Sequence, residues 1–299
     1  MTERPAVHAH HARRIGFISG ISAYLLWGVF PIYFHVLKGK VPPEEILAHR
    51  IIWSLPVVAA ILFRRNALST IGPVFRDKRT LGVLTVSAIL IAMNWLIFVW
   101  SIANDRLLEA SMGYFINPLV NVALGMVFLG ERLDRMQIVS IALASVGVGY
   151  LILEAGAFPW IALALAFSFG FYGLVRKTVK VDAPTGFFME TMLLLPFALA
   201  YFFYLLGTGH SAFFADYGVT TLLVLGGPLT AAPLLLFTTA VRLLPLSVLG
   251  FLQYIAPSLQ FALAVFAFGE PFDRVRGVAF GFIWVAVGVF VVDLLRRRR

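Results

Sequence analysis

Apolar residues run along this chain in blocks of about 20, separated by short polar joints, and the blocks recur ten times. A helix of about 20 residues is about 30 Å long, the thickness of a bilayer's hydrocarbon core. The pattern predicts transmembrane helices over residues 16–37, 45–63, 81–103, 108–129, 136–153, 159–176, 184–206, 219–241, 246–268 and 275–295. The first block is too long for the apolar region of a signal peptide and lacks a convincing small-residue cleavage site, so it reads as a retained helix. No stretch is left over for a soluble domain.

The blocks are written twice. PLVNVALGMVFLGERLDR (118–135) lies over PSLQFALAVFAFGEPFDR (257–274) without a gap, and seven of the eighteen positions are identical. The same offset of 139 carries Phe98 onto Phe237 and Gly149 onto Gly288, and an offset of 140 carries Pro56 onto Pro196. Such duplication places five helices in each half. Five is odd, so the halves enter the membrane in opposite directions. The fold class expected is therefore an all-α membrane protein with ten transmembrane helices in two inverted five-helix repeats. The divisions are a cytoplasmic tail (1–14), a first repeat (15–154), a second repeat (155–295) and a basic C-terminus (296–299). The duplicated Gly-Glu-x-x-Asp-Arg turn reads as a tight reversal, with glycine permitting the turn and its charges pairing at the interface.

Composition agrees, with 60% hydrophobic and 13% charged residues and a mean hydropathy of +0.90; soluble proteins carry about 25% charged residues. With both termini in the cytoplasm, the inner loops and tails hold 18 Lys and Arg and the outer loops five, while Arg50 lies within a span. This is the positive-inside pattern. The net charge of +9 then reads as a rim facing anionic lipid, not as a nucleic-acid site.

Polar residues inside spans are costly in lipid and so face protein or water. Tyr114, Asn117, Asn121 and Gly125 recur at spacings of three and four, one helix face. Their equivalents in the second half are Gln253, Ala256, Gln260 and Ala264. Asn94 and Trp95 in the third span, and Tyr24 and Trp27 in the first, complete a candidate lining. Two readings fit: a substrate cavity lined from both repeats, or amides that bond helix to helix and never touch a ligand.

Six residues before the matched prolines stand Arg50 and Glu190, opposite charges at equivalent positions. The topology puts Arg50 in the outer leaflet and Glu190 in the inner one, so no direct bridge is required. Arg50 can hold a substrate carboxylate through its planar fork. Glu190 can take an amine or a proton. The alternatives are a structural pair of gates, or an Arg50 that snorkels to the outer surface. Glu45 and His49, one turn apart on the same helix, are placed to tune Arg50, with His49 a secondary candidate for pH sensing and proton coupling.

Small residues at close-approach spacings, Ala142, Ser145 and Gly149 in the fifth span and Gly277, Gly281 and Gly288 in the tenth, mark these spans as scaffold or a homodimer seam. Pro31, Pro56, Pro118, Pro196, Pro228, Pro233 and Pro257 lie within spans and predict kinks. The chain has no cysteine, HExxH, Walker lysine motif or Gly-x-Ser-x-Gly, so no metal, cofactor or enzymatic activity is expected. His8, His10 and His11 fall in a tail read as flexible.

EILAHRIIWS (45–54), LEASMGYFINPLVN (108–121), FLGER (128–132) and FSFGFYGLVRK (167–177) resemble the RarD group of the EamA-type transporters, in the drug/metabolite transporter superfamily. The likeness covers nearly the whole chain. It implies an inner-membrane exporter of small metabolites or drugs, with amino acids among the substrates of relatives. The outer loop 207–218 is expected to bind nothing.

The expected function is a bacterial inner-membrane secondary carrier working by alternating access without ATP. Its cargo would be small amphipathic metabolites, amino-acid-like, or drugs such as amphenicols. The alternatives are a channel-type facilitator, or a membrane-embedded protein without transport activity. The partners expected are the small-molecule substrate and the lipid bilayer.

Overall fold

The apolar blocks are helices in the structure, a computed structural model that describes residues 3–104, 106–154, 158–267 and 274–296. In order they are α1 (Glu3–Leu37), α2 (Pro43–Arg64), α3 (Ile71–Arg76), α4 (Lys78–Ala103), α5 (Leu107–Leu129), α6 (Arg135–Glu154), α7 (Trp160–Thr178), α8 (Ala183–Thr208), α9 (Tyr217–Leu243), α10 (Leu246–Gln253), α11 (Ile255–Ala262) and α12 (Arg274–Arg296). Among the described residues seven helices are long and apolar enough to cross a membrane, and Gly113–Leu129, Leu246–Ala262 and Gly277–Asp293 are shorter apolar segments. The chain is a multi-pass α-helical membrane protein.

Local chemistry sets where the helices begin and end. Asp182 and Asp216 cap α8 and α9 by accepting from the amides of Thr185 (3.4 Å) and Val219 (2.8 Å). Asp77 opens α4, accepting from the Thr80 hydroxyl and the Arg79 amide, and the Thr80 hydroxyl holds its carboxyl below the usual carboxylate range. Gly130 ends α5 in the left-handed conformation, φ 64°, which a side chain would strain. Asp134 and Gln137 then start α6 with reciprocal bonds, each side chain accepting from the other's backbone amide.

Three expectations change. The tail read as flexible is helical from Glu3 onward, with Pro5 in the first turn, where its missing N–H costs nothing. The joint 65–77 contains α3, whose Val74 packs with Val179, Val181 and Met189. The ninth block breaks at Tyr254 into α10 and α11, followed by a π-helical turn over Leu263–Ala267. Pro257 has no N–H for the Gln253 carbonyl, and the chain gives way at that point.

The principal packing pairs are α6 with α12, α5 with α7, α1 with α9, α2 with α8 and α9, α4 with α7 and α8, α5 with α10, and α1 with α11. The α6–α12 seam does not use the predicted small-residue face. Gly147 makes the close approach, since a Cβ there would lie 2.9 Å from the Ala279 carbonyl oxygen, while Gly149, Gly281 and Gly288 face open space. Ala142 and Ser145 are exposed.

The duplicated turn works differently from the expected charge pairing in its first copy; the second, from Gly269, lies outside the described residues apart from its last residue, Arg274. Glu131 reaches across to α10 and accepts from the amides of Leu246 (2.7 Å) and Ser247 (2.9 Å) and from the Ser247 hydroxyl (2.7 Å). A carboxylate on the free amides of a helix start is stabilised by both the hydrogen bonds and the helix dipole. Glu131→Ala is expected to cost about 3 kcal/mol, read as a lower melting temperature in detergent. The exposed neighbour Arg132→Ala should leave melting unchanged; equal melting of the two variants would show that the Glu131 contact does not stabilise the fold.

Candidate substrate site

Arg50 leaves the first turns of α2 and enters the protein, not the outer surface; snorkelling is excluded because only 6% of the residue is exposed. Its Nε donates to Thr230 Oγ1 on α9 (2.8 Å). The guanidinium carbon lies 5.0 Å from the Trp95 ring, 5.4 Å from Phe30 and 5.7 Å from Phe34. Ring faces attract a desolvated cation by about 2 kcal/mol, so the cage offsets part of the burial cost without a carboxylate. The α2–α9 seam that holds it is tight because Gly226 and Gly227 carry no side chains: a Cβ on Gly226 would meet Tyr33 Oη at 2.7 Å and Arg50 Cγ at 3.2 Å.

Glu190 occupies a second nest on α8. Ser87 of α4 donates to it at 2.5 Å, Tyr172 of α7 at 3.4 Å, and Arg176 Nε lies 3.6 Å away. Its ion-pair partner is Arg176, not Arg50. Arg176 is one of the 18 basic residues that the charge pattern assigns to the cytoplasmic side, yet it is fully buried. Gly186 makes room for it, since a Cβ there would fall 1.9 Å from Arg176 Nη1. Gly186→Ala should therefore push the guanidinium off Glu190. We expect a loss of about 3 kcal/mol, as for breaking a buried pair from one side, measured by melting; unchanged melting would show that Arg176 has another resting place.

The two nests are related by the duplication. Phe30 and Tyr33 beside Arg50 recur 139 residues on as Phe169 and Tyr172, of which Tyr172 bonds Glu190 and Phe169 packs on Tyr172. Between the nests lies a cavity lined by Ile51, Ser54, Trp95, Tyr172, Phe187 and Glu190 among others. Its volume of about 10 Å³ holds one water and no larger solute. The cavity beside Glu190 is thus too small for a solute.

The amide stripe resolves mostly into braces. Asn121 Nδ2 donates to Asn117 Oδ1 (3.1 Å) and to Gln253 Oε1 (2.9 Å), joining α5 to α10. Asn94 donates to the Leu165 carbonyl and Ser168 Oγ, both 2.9 Å, joining α4 to α7. Gln260 donates to the Trp27 carbonyl at 3.1 Å. Pro31 has no N–H for that carbonyl, and Gln260 takes its place. Tyr24 and Trp27 join Phe169, Tyr172 and Phe237 in an aromatic cluster, with neighbouring centroids 4.9–6.3 Å apart. Tyr24 Oη and Asn121 Oδ1 are buried without hydrogen-bond partners among the described residues. Tyr114 lies edge-on to Phe98, 5.9 Å away, and within electrostatic reach of Arg50.

Glu45 and His49 do not tune Arg50 through any recorded bond. Glu45 accepts from Ser211 Oγ (2.6 Å) and from the amides of Ala212 (2.9 Å) and Phe213 (3.3 Å). His49 accepts from Trp53 Nε1 at 3.2 Å and stacks on Phe213 at 4.6 Å. The outer loop 207–218 is thus pinned to α2. No group of three or more His, Asp or Glu placed to hold a metal occurs among the described residues.

Comparison with known proteins agrees with this architecture. Residues 14–153 match the EamA-like transporter family. An "Uncharacterized transporter" of Vibrio cholerae serotype O1 is 47% identical over 94% of this chain and 93% of its own length. "Protein RarD" of Escherichia coli (strain K12) is 45% identical over 96% and 97%. "Chloramphenicol-sensitive protein RarD" of Pseudomonas aeruginosa is 32% identical over 91% and 92%. A solved structure described as "Crystal structure of protein" superposes with a TM-score of 0.70 over 97% of this chain and 98% of that one at 20% identity, a likeness of fold alone. With such identities sustained along nearly its whole length, the chain belongs to the RarD group of the EamA-type transporters and is a membrane transporter.

Proposed function

We propose that the chain is a secondary carrier of the bacterial inner membrane, with both termini cytoplasmic, that exports small amphipathic solutes by alternating access. The observation that carries this reading is the pair of buried charge nests, Arg50 and Glu190, at equivalent positions, with a small cavity lined by Glu190 and by Trp95 of the Arg50 cage. A solute with a carboxylate or amide head and an apolar body matches a centre of one cation, one carboxylate and aromatic rings. Amino acids and amphenicols are the first classes to test.

The packing supports two inverted five-helix repeats. Take α7, α8, α9, α10 with α11, and α12 as counterparts of α1, α2, α4, α5 and α6. Exchanging the halves turns α1 on α9 into α7 on α4, α2 on α9 into α8 on α4, and α5 on α7 into α10 and α11 on α1. Each of these pairs is in contact. If the halves trade conformations, the open side trades with them. Purified protein in liposomes should show saturable counterflow of at least one solute of these classes. Conductance without saturation or counterflow would make it a channel instead.

A further inference from the structure

Arg176 has donors to spare. Its Nη2 donates weakly to the carbonyls of Asp182 (3.5 Å) and Ala183 (3.3 Å). Its Nε and Nη1 donate to nothing among the described residues, although the side chain is fully buried. Glu190 lies 3.6 Å from Nε, close enough for charge attraction but too long for a hydrogen bond. Both Glu190 oxygens are meanwhile satisfied by other groups, Oε1 by Ser87 and Oε2 by Tyr172. The cation is therefore the under-coordinated member of the pair. A buried guanidinium with unused donors, seated in the space that the missing side chain of Gly186 leaves and 3.6 Å from a carboxylate that lines the cavity, can take one anionic ligand in place of that carboxylate.

The charge balance says when it can do so. While Glu190 is ionised the nest is neutral, and a second anion would be repelled. Once Glu190 is protonated, Arg176 is left as a buried unpaired cation, an expensive state that an incoming carboxylate relieves. The groups facing Glu190 are Tyr172 and Arg176 from α7 and Ser87 from α4; α2 presents Ile51 and Ser54 to the same cavity, and α9 presents Leu234. Among the described residues, Arg176 is the charged group recorded against it.

We propose that Arg176 is a solute-binding residue that exchanges Glu190 for the carboxylate of the transported solute when Glu190 takes up a proton. The ligand class is a small organic carboxylate, and the proton and the anion enter the site together. This deepens the carrier reading, on which it rests for placing a solute in this cavity. By reciprocal linkage, anion affinity rises as pH falls through the titration of Glu190, by up to about tenfold per pH unit, and binding of each anion takes up about one proton.

The test is equilibrium binding to the full-length purified protein, with no transport step. The probes are butyrate, butanesulfonate (an anion at every pH used), the neutral butyramide, and chloride. We expect butyrate and butanesulfonate to bind more tightly with falling pH and butyramide not to bind. Glu190→Gln should bind both anions at pH 8 as tightly as the parent does in acid, with no pH dependence. The double variant Arg176→Gln with Glu190→Gln, two neutral amides, should bind neither. Binding by the double variant as tight as by Glu190→Gln, or pH-independent binding by the parent, would overturn the proposal. Chloride competing as well as butyrate would reassign the site to inorganic anions and overturn the solute assignment. If Glu190→Gln does not fold, proton uptake by the parent on adding butanesulfonate decides alone, and no uptake overturns the exchange. Absent flux with intact pH-linked binding would sink the carrier reading and leave this one; flux surviving in the double variant would sink this one and leave the carrier.

Discussion

Arg50→Ala is expected to abolish saturable counterflow in proteoliposomes while the protein still inserts and folds. The guanidinium is held by one hydroxyl and three rings and has no carboxylate partner among the described residues, so its charge is uncommitted in this structure. A polar oxygen of the solute that supplies that partner gains charge-assisted hydrogen bonds in a dry site, each about 1.5–3 kcal/mol. Losing two of them weakens binding by about 100-fold or more. Arg50→Lys separates charge from geometry. The ammonium keeps the sign but has no planar fork, and it is held more tightly by water. Partial flux with a raised half-saturation concentration is the result expected for Lys. Equal loss in Ala and Lys would make the fork essential, whereas unchanged flux in Ala would remove Arg50 from the solute path. Thr230→Val deletes the hydroxyl at the other end of the 2.8 Å bond without changing the side-chain shape. It should weaken transport less than Arg50→Ala, because the three rings remain.

How much of this was legible beforehand depends on what each residue's signal measures. Block length was easy to read because the bilayer thickness fixes it, and the ends of α2, α4 to α9 and α12 fall within a few residues of the predicted ones. The equivalence of Arg50 and Glu190 came from the duplication, which registers position but not partner. Arg176 was missed for that same reason. It stands opposite Leu37 in the first repeat, so the duplication holds no matching charge, and its place near a helix end counted it with the rim. A signal was nevertheless present. Phe30, Tyr33, Val36 and Lys38 recur as Phe169, Tyr172, Val175 and Lys177, which sets the end of α7 in the same role as the end of α1. The amides were ambiguous because a helix face shows which side is polar, not whether a ligand or a neighbour satisfies it. The prolines could have decided one of them. Pro31 orphans the carbonyl of Trp27, and Gln260 is the side chain that fills it. Glu45 was unreadable, since its partners are backbone amides of a loop some 166 residues away.

Gly227→Ala is expected to cost both stability and transport. A Cβ at Gly227 would lie 2.3 Å from the carbonyl carbon and oxygen of Trp53 and 2.6 Å from its Cβ. Carbon atoms rest at about 3.5–4.0 Å, so α2 and α9 must separate by roughly 1 Å. Overpacking a core costs about 1–3 kcal/mol when side chains can rotate away. Here the obstacle is backbone, which cannot, so the cost belongs at or above the top of that range. The same separation strains the bond from Ser54 Oγ to the Gly227 carbonyl (3.2 Å) and from Arg50 Nε to Thr230 Oγ1 (2.8 Å). A carrier that holds its cation across this seam should lose flux as well as melting temperature. Gly149→Ala is the comparison, since nothing lies within 4 Å of its added Cβ. There the helix should gain the usual advantage of alanine over glycine, about 1 kcal/mol, with flux intact. If Gly227→Ala melts and transports like Gly149→Ala, the α2–α9 seam is not closed in solution, and the nest around Arg50 must be held by its rings alone.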